Sequence, residues 1–237
     1  MLVVLVGGLA LVLHPGLLNL EKAEEGAPLT AQLQDFPDAN VPNSPYFAKV
    51  DIYNMTSKGD RLVLPYFKTR QQRAFYTCAP VAAMMVVDYY LGECKEDELE
   101  VAKIMGTSSN RGTTIGGVVK YFEHLGWDVV SSGSKSAPGS YTEFIKWIKQ
   151  NLQRKTPVIV ENVDWGGHYR VIIGYDGMGT ETASDDVLFL ADSFDTSDHW
   201  RDGYNVTSAE RFYYMWFDHK LFGKNEQDRL YVIAKPK

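Results

Sequence analysis

Cysteine is scarce in this sequence: Cys78 and Cys94 are the only two among 237 residues. They could form one bridge at most, so a disulfide scaffold is excluded and stability has to come from a buried core. Positive charge is also in short supply, with 24 Lys and Arg against 30 Asp and Glu and a net charge of −6. That balance argues against nucleic acid or an anionic membrane surface as a partner. Several motifs are missing as well: G-x-x-x-x-G-K-[ST], H-E-x-x-H, paired C-x-x-C, G-x-S-x-G and G-x-G-x-x-G. Phosphate-loop, zinc-peptidase, serine-hydrolase and dinucleotide chemistry therefore lack their signatures, and no cofactor or metal is expected. No internal repeat is visible.

What the sequence does have is 45 % apolar residues and 13 % aromatics, enough for one sizeable domain or two small ones. Residues 1–13, MLVVLVGGLALVL, are uncharged and apolar before His14 and Pro15 interrupt them. The run is shorter than the roughly 20 residues of a bilayer span and matches the about 7–15 of an export signal. Residues 1–20 are accordingly read as a signal-like leader or anchor; a buried first strand or helix is the alternative. The expectation is a secreted or cell-envelope chain that touches a membrane only through this segment, if it is retained. Residues 21–45 are polar and dotted with proline and read as a linker or strap. Residues 46–237 form the domain.

Within that domain, helical patterns come first and strands second. An extended pair is read at Ile52–Pro65. Lys95–Met105, Thr114–Leu125 with a strand at Trp127–Val130, and a helix opened by the capping box Ser140/Glu143 then precede Val158–Val163, Tyr169–Tyr175, Val187–Ala191 and Leu230–Ala234. The class is α+β with an antiparallel sheet, not alternating βαβ.

The chemistry centres on Gln71–Gly92, QQRAFYTCAPVAAMMVVDYYLG. Pro80 suits the first turn of a helix, and Val81–Leu91 is apolar or aromatic all round except for Asp88, the pattern of a buried helix. Cys78 thus stands where unpaired backbone N–H groups and the helix dipole favour a thiolate. Position alone leaves it equally readable as a small buried hydrophobe. The two thiols are expected to be free, since pairing them would abolish the nucleophile.

A cysteine nucleophile needs a base, and the base needs a third group to orient it. Of five histidines, only His168 stands at the mouth of a strand, after Trp165-Gly166-Gly167. If Tyr169–Tyr175 and Val187–Ala191 pair antiparallel, His168 and Asp192 become neighbours at one rim of the sheet. Asp192 would then accept from one ring nitrogen and leave the other facing the thiol. An oxyanion would be held by the Cys78 backbone N–H and a side-chain amide: Gln72, six residues upstream, with Gln71 in reserve. The acidic residues Asp192, Asp195, Asp198 and Asp202 read as a solvated loop, not a Ca²⁺ site. The aromatics Trp200, Tyr204, Phe212, Tyr213, Tyr214, Trp216 and Phe217 read as core.

These residues resemble papain-like cysteine peptidases of the bacteriocin-processing, double-glycine-leader type, as a stand-alone domain. The resemblance lies in Arg70-Gln71-Gln72 followed by Tyr76-Thr77-Cys78-Ala79-Pro80, in Gly167–Asp176 (GHYRVIIGYD), and in Asp192 after a strand. It implies a papain-like fold with the cysteine helix packed on a C-terminal antiparallel sheet. It also implies Cys78 as nucleophile, His168 as base, Asp192 as orienting acid and Gln72 at the oxyanion hole, with peptide or protein substrates cleaved after small residues. Ala79 stands where the family usually has glycine, and Ser193 where it commonly has proline. The expected activity is a cysteine peptidase acting through a thioester. The alternatives are an acyltransferase or amidase using the same intermediate, or a non-catalytic peptide-binding module on the same fold.

Overall fold

A computed structural model describes residues 50–196, 200–219 and 228–237. The segments read above as leader (1–20) and strap (21–45) lie outside the described residues. The stretch around the cysteine forms helix α1, Cys78–Leu91, in which every residue from Cys78 to Asp88 is buried. Gly92, with φ 85°, ends it by donating its N–H to the Asp88 carbonyl. Asp88, the one charge on the helix, is neutralised by Arg70, whose Nε and Nη2 donate to its two oxygens at 2.5 and 2.8 Å. No helix among the described residues is long and apolar enough to cross a membrane.

Helices α2 (Glu98–Met105), α3 (Ile115–His124) and α4 (Tyr141–Gln153) follow. The capping box read from Ser140 and Glu143 is present, and Asp97 with Glu100 forms a second at α2. The helix expected from Lys95 starts at Glu98, because Asp97 is the residue whose side chain caps it.

The strands are β1 (Leu62–Val63), β2 (Asp128–Ser131), β3 (Val158–Asn162), β4 (His168–Asp176), β5 (Val187–Asp192), β6 (Tyr204–Ser208) and β7 (Tyr231–Lys235). They form one antiparallel sheet in the order β2-β7-β3-β4-β5-β6, with β1 paired to β4. Four strands were expected at the C-terminal end. The sheet also takes in β6 there, together with β1, inside the extended pair read at Ile52–Pro65, and β2, which overlaps the strand read at Trp127–Val130. Helix α1 packs on β4 and β5, with α2 and α3 also against it. The short helix α5 (Ala209–Tyr214) follows β6, and its Phe212 and Tyr213 join Phe144, Trp147, Trp216 and Tyr231 in an aromatic core. Of the aromatics read as core, Phe212, Tyr213 and Trp216 are buried, Trp200 and Tyr204 are half-buried, and Tyr214 and Phe217 are exposed.

Candidate active site

The site forms where the tip of α1 meets the rim of β4 and β5. The loop leading to Cys78 is held from several sides. Glu98 on α2 accepts from the Arg73 N–H at 3.0 Å and from Thr77 Oγ1 at 2.5 Å. Thr77 Oγ1 also lies 2.7 Å from the Ala74 carbonyl. The Gln72 N–H donates to the Ser193 carbonyl at 2.9 Å, tying this loop to the end of β5. Cys78 is then the first residue of α1. Ala79 lies in the helix without a positive φ, so the backbone there makes no demand for glycine.

His168 opens β4. In the β4–β5 register Arg170 lies opposite Asp192, so His168 and Arg170, two apart on one strand, present their side chains on the face from which Asp192 projects. His168 Nε2 donates to Asp192 Oδ1 at 2.7 Å, and the same ring acts on the buried Cys78 thiol, lowering its pKa. With Nε2 engaged, Nδ1 is the nitrogen left for sulfur. The three side chains are buried: Cys78 is 7 %, His168 4 % and Asp192 1 % exposed. Asp192 also accepts from the Phe194 N–H at 2.9 Å and, on Oδ2, from Arg170 Nε at 2.6 Å.

Electrostatics follow from this packing. Burial pushes the Cys78 thiol up, but the hydrogen bond and charge of His168, aided by the Tyr169 and Ala79 backbone N–H groups, bring it below its ordinary value. Burial works against a charged His168, yet the Asp192 carboxylate and the bond to Cys78 raise it to about 9. Asp192, facing two cations, is held well below the usual carboxylate range despite its burial. The arrangement favours a thiolate–imidazolium pair.

Gln72 is buried beneath the loop before Cys78. Its Nε2 donates to the Ala74 and Phe75 carbonyls at 2.8 and 3.1 Å, and its Oε1 accepts from Ser193 Oγ at 2.7 Å. Gln71 directs Nε2 to the Asp192 carbonyl at 3.5 Å, and its Oε1 is buried without a hydrogen-bond partner. Cys94 is a free, buried thiol near Glu96 and Tyr121.

Two features escape the sequence reading. One is the Arg170 anchor on Asp192. The other is an aromatic ridge in which Trp165 packs edge-on to His168 at 5.1 Å and to Phe194 at 5.2 Å, and Phe75 meets Phe194 at 6.0 Å. Trp165 is 50 % and Phe75 59 % exposed, so the ridge borders the site from solvent. The acidic segment beginning at Asp192 is not the solvated loop expected: Asp192 and Asp195 are each 1 % exposed. Asp202 is half-buried, and Asp198 lies outside the described residues. No cluster of metal-ligating side chains occurs among the described residues.

A cysteine at the tip of a buried helix, set against an antiparallel sheet that offers a histidine from its rim, is the architecture of a papain-like cysteine peptidase. The chain belongs to the peptidase C39-like family, whose model matches residues 64–218, more than half of its length. A comparison with curated proteins found no match. Among solved structures it is similar to the peptidase domain of Streptococcus ComA, a bifunctional ABC transporter involved in quorum sensing. The TM-score is 0.48 at 18 % identity, covering 72 % of this chain and 99 % of that one. The double-glycine-motif protease of an AMS/PCAT transporter, solved with its leader peptide, gives 0.42 at 15 % identity, covering 72 % and 91 %. Xylellain, a cysteine protease from Xylella fastidiosa, gives 0.47 at 13 %, covering 87 % and 95 %.

Proposed function

We propose that the chain is a thiol peptidase with Cys78 as nucleophile, His168 as base and Asp192 as orienting acid. The observation that carries the reading is a buried thiol whose pKa is lowered by an imidazole that Asp192 holds through Nε2 at 2.7 Å. His168 takes the thiol proton, and the thiolate attacks the carbonyl carbon of a peptide substrate. The imidazolium returns that proton to the leaving amine, so a thioester forms as the C–N bond breaks. Water then attacks the thioester with His168 as base, which releases the acid and restores the thiol. Asp192 keeps the proton on Nε2 and the ring edge turned to sulfur.

The oxyanion would be held by the Cys78 N–H and by Gln72. Gln72 Nε2 here donates to the Ala74 and Phe75 carbonyls, so this role requires the amide as a whole to turn toward substrate and give up those bonds. Ser193 Oγ donates to Oε1 at the other end of the amide and is the pivot about which that turn would occur.

The test is turnover of a peptide library by wild type and Cys78→Ala, read by mass spectrometry with and without an added amine. The expected result is cleavage that falls by roughly 10⁴-fold or more in the variant, with hydrolysed products unchanged by the amine. Amine-capped products would make the chain a transferase. Cleavage unchanged in Cys78→Ala, or a wild type that cleaves nothing, would end the peptidase reading.

A further inference from the structure

The proposed mechanism leaves one buried charge beside the site without a task. Arg170 lies on β4 two residues beyond His168, and its side chain is 7 % exposed. Its Nε holds Asp192 Oδ2, the oxygen His168 does not use, at 2.6 Å. Its Nη1 donates to Asp164 Oδ2 at 2.5 Å and to Asn162 Oδ1 at 2.8 Å. A guanidinium is costly to bury unless its charge is matched. Here it is divided between two carboxylates, and one of them is the partner of the imidazole.

We propose that Arg170 is a positioning residue for the Cys78–His168 pair: it pins the second oxygen of Asp192 and, in balance with Asp164, fixes how much negative charge the imidazole faces. The inference rests on the thiol-peptidase reading for its functional meaning, but its physical content is a titration that needs no substrate. The charged or titratable groups around His168 are Cys78 from α1, Asp192 from β5, Arg170 from β4 itself and Asp164 from the turn before β4. Arg211, on α5, lines a cavity of about 160 Å³ together with Asp164 and Arg170.

Opposite signs follow for two substitutions. Arg170→Gln keeps an N–H donor but removes the charge that offsets Asp192, so His168 should hold its proton to higher pH. Asp164→Asn leaves the Arg170 charge less compensated, so His168 should release its proton earlier. Arg170→Lys keeps the charge and should titrate close to wild type.

The experiment is an NMR titration of the full chain labelled at histidine Cε1, with His168 assigned from the spectrum of His168→Gln. We expect the midpoint to rise in Arg170→Gln and to fall in Asp164→Asn, each by about half a unit to one unit. Folded variants that match wild type, shifts of the same sign, or a Lys variant displaced as far as Gln would overturn the proposal. If Arg170→Gln does not fold, Asp164→Asn decides alone, since that side chain is 34 % exposed and easier to replace. A wild-type His168 titrating near its ordinary value of about 6.5 would remove both this role and the peptidase reading. A raised wild-type value with unmoved variants would remove this role only.

Discussion

Ser193 follows the orienting aspartate where proline is common in the family that the sequence resembles. It is fully buried, its carbonyl accepts the Gln72 N–H, and its hydroxyl donates to Gln72 Oε1 at 2.7 Å. A proline could supply the carbonyl but not the hydroxyl. Serine is therefore not a decayed position here: it fastens the glutamine proposed for the oxyanion hole. Ser193→Ala strands a buried amide oxygen, which costs about 1–3 kcal/mol. Urea denaturation should show that loss, and a variant as stable as wild type would mean the bond carries no weight. Sequence alone gave the position of Ser193 but no partner for its side chain, because Gln72 lies 121 residues away.

At the scale of elements, the legible pieces were those with local signals. The Ser140 box, and Pro80 with the apolar run after it, each act within a few residues. Strand β6 had no such signal. It pairs with β5, its residues are partly buried or exposed throughout, and its alternation of Tyr204 and Val206 with Asn205 and Thr207 is too brief to stand out. Helix α5 has six residues, too short for periodicity to show. Packing between α2 and α3 was equally hidden. Gly117, on α3, passes so close to the last turn of α2 that an added Cβ would fall on the Met105 carbonyl oxygen and 2.9 Å from Thr113 Cγ2. Gly117→Ala should force the helices apart and cost about 1–3 kcal/mol. Because α2 carries the Glu98 that grips Arg73 and Thr77, the same variant should slow alkylation of Cys78. A thermal melt and a labelling rate both equal to wild type would contradict this close contact.

At the scale of the whole molecule, the site is a seam between the tip of α1 and the sheet rim, and its charges make the seam depend on pH. The folded value of Asp192 lies below its unfolded one, so its contribution is present above about pH 4 and is lost as pH falls toward the folded value. The folded value of His168 is raised to about 9, so its contribution is complete below about pH 6.5 and is lost on rising through 9. Cys78, lowered in the fold, works the other way on the alkaline side and is best removed as Cys78→Ser. In that background the stability margin over Cys78→Ser/Asp192→Asn should be widest between about pH 4 and 6.5 and shrink on either side. A margin flat across pH would show that the buried pair does not hold the seam. The meeting of His168 with Asp192 was readable because two strands joined by one loop place the start of the first beside the end of the second. The Arg170 bridge was not. Its other carboxylate, Asp164, sits in a turn that Gly166-Gly167 signals, but they do not reveal the positive φ of 53° at Trp165 or that Asp164 meets Arg170. The aromatic ridge was hidden for a related reason, since Phe75, Trp165 and Phe194 come from three separate loops.

The central claim is that folding gives Cys78 a thiolate at a pH where an ordinary cysteine has none. Cys94, which burial pushes up, provides the internal control. The most direct measurement is the rate of iodoacetamide alkylation of each cysteine against pH, resolved by peptide mass mapping in wild type and His168→Gln. The account predicts rapid modification of Cys78 already near about pH 5.5, lost in His168→Gln, with Cys94 slow throughout. Cys78 reacting only as pH climbs toward about 8.5, the value of an unperturbed thiol, with the same profile in both proteins, would contradict it.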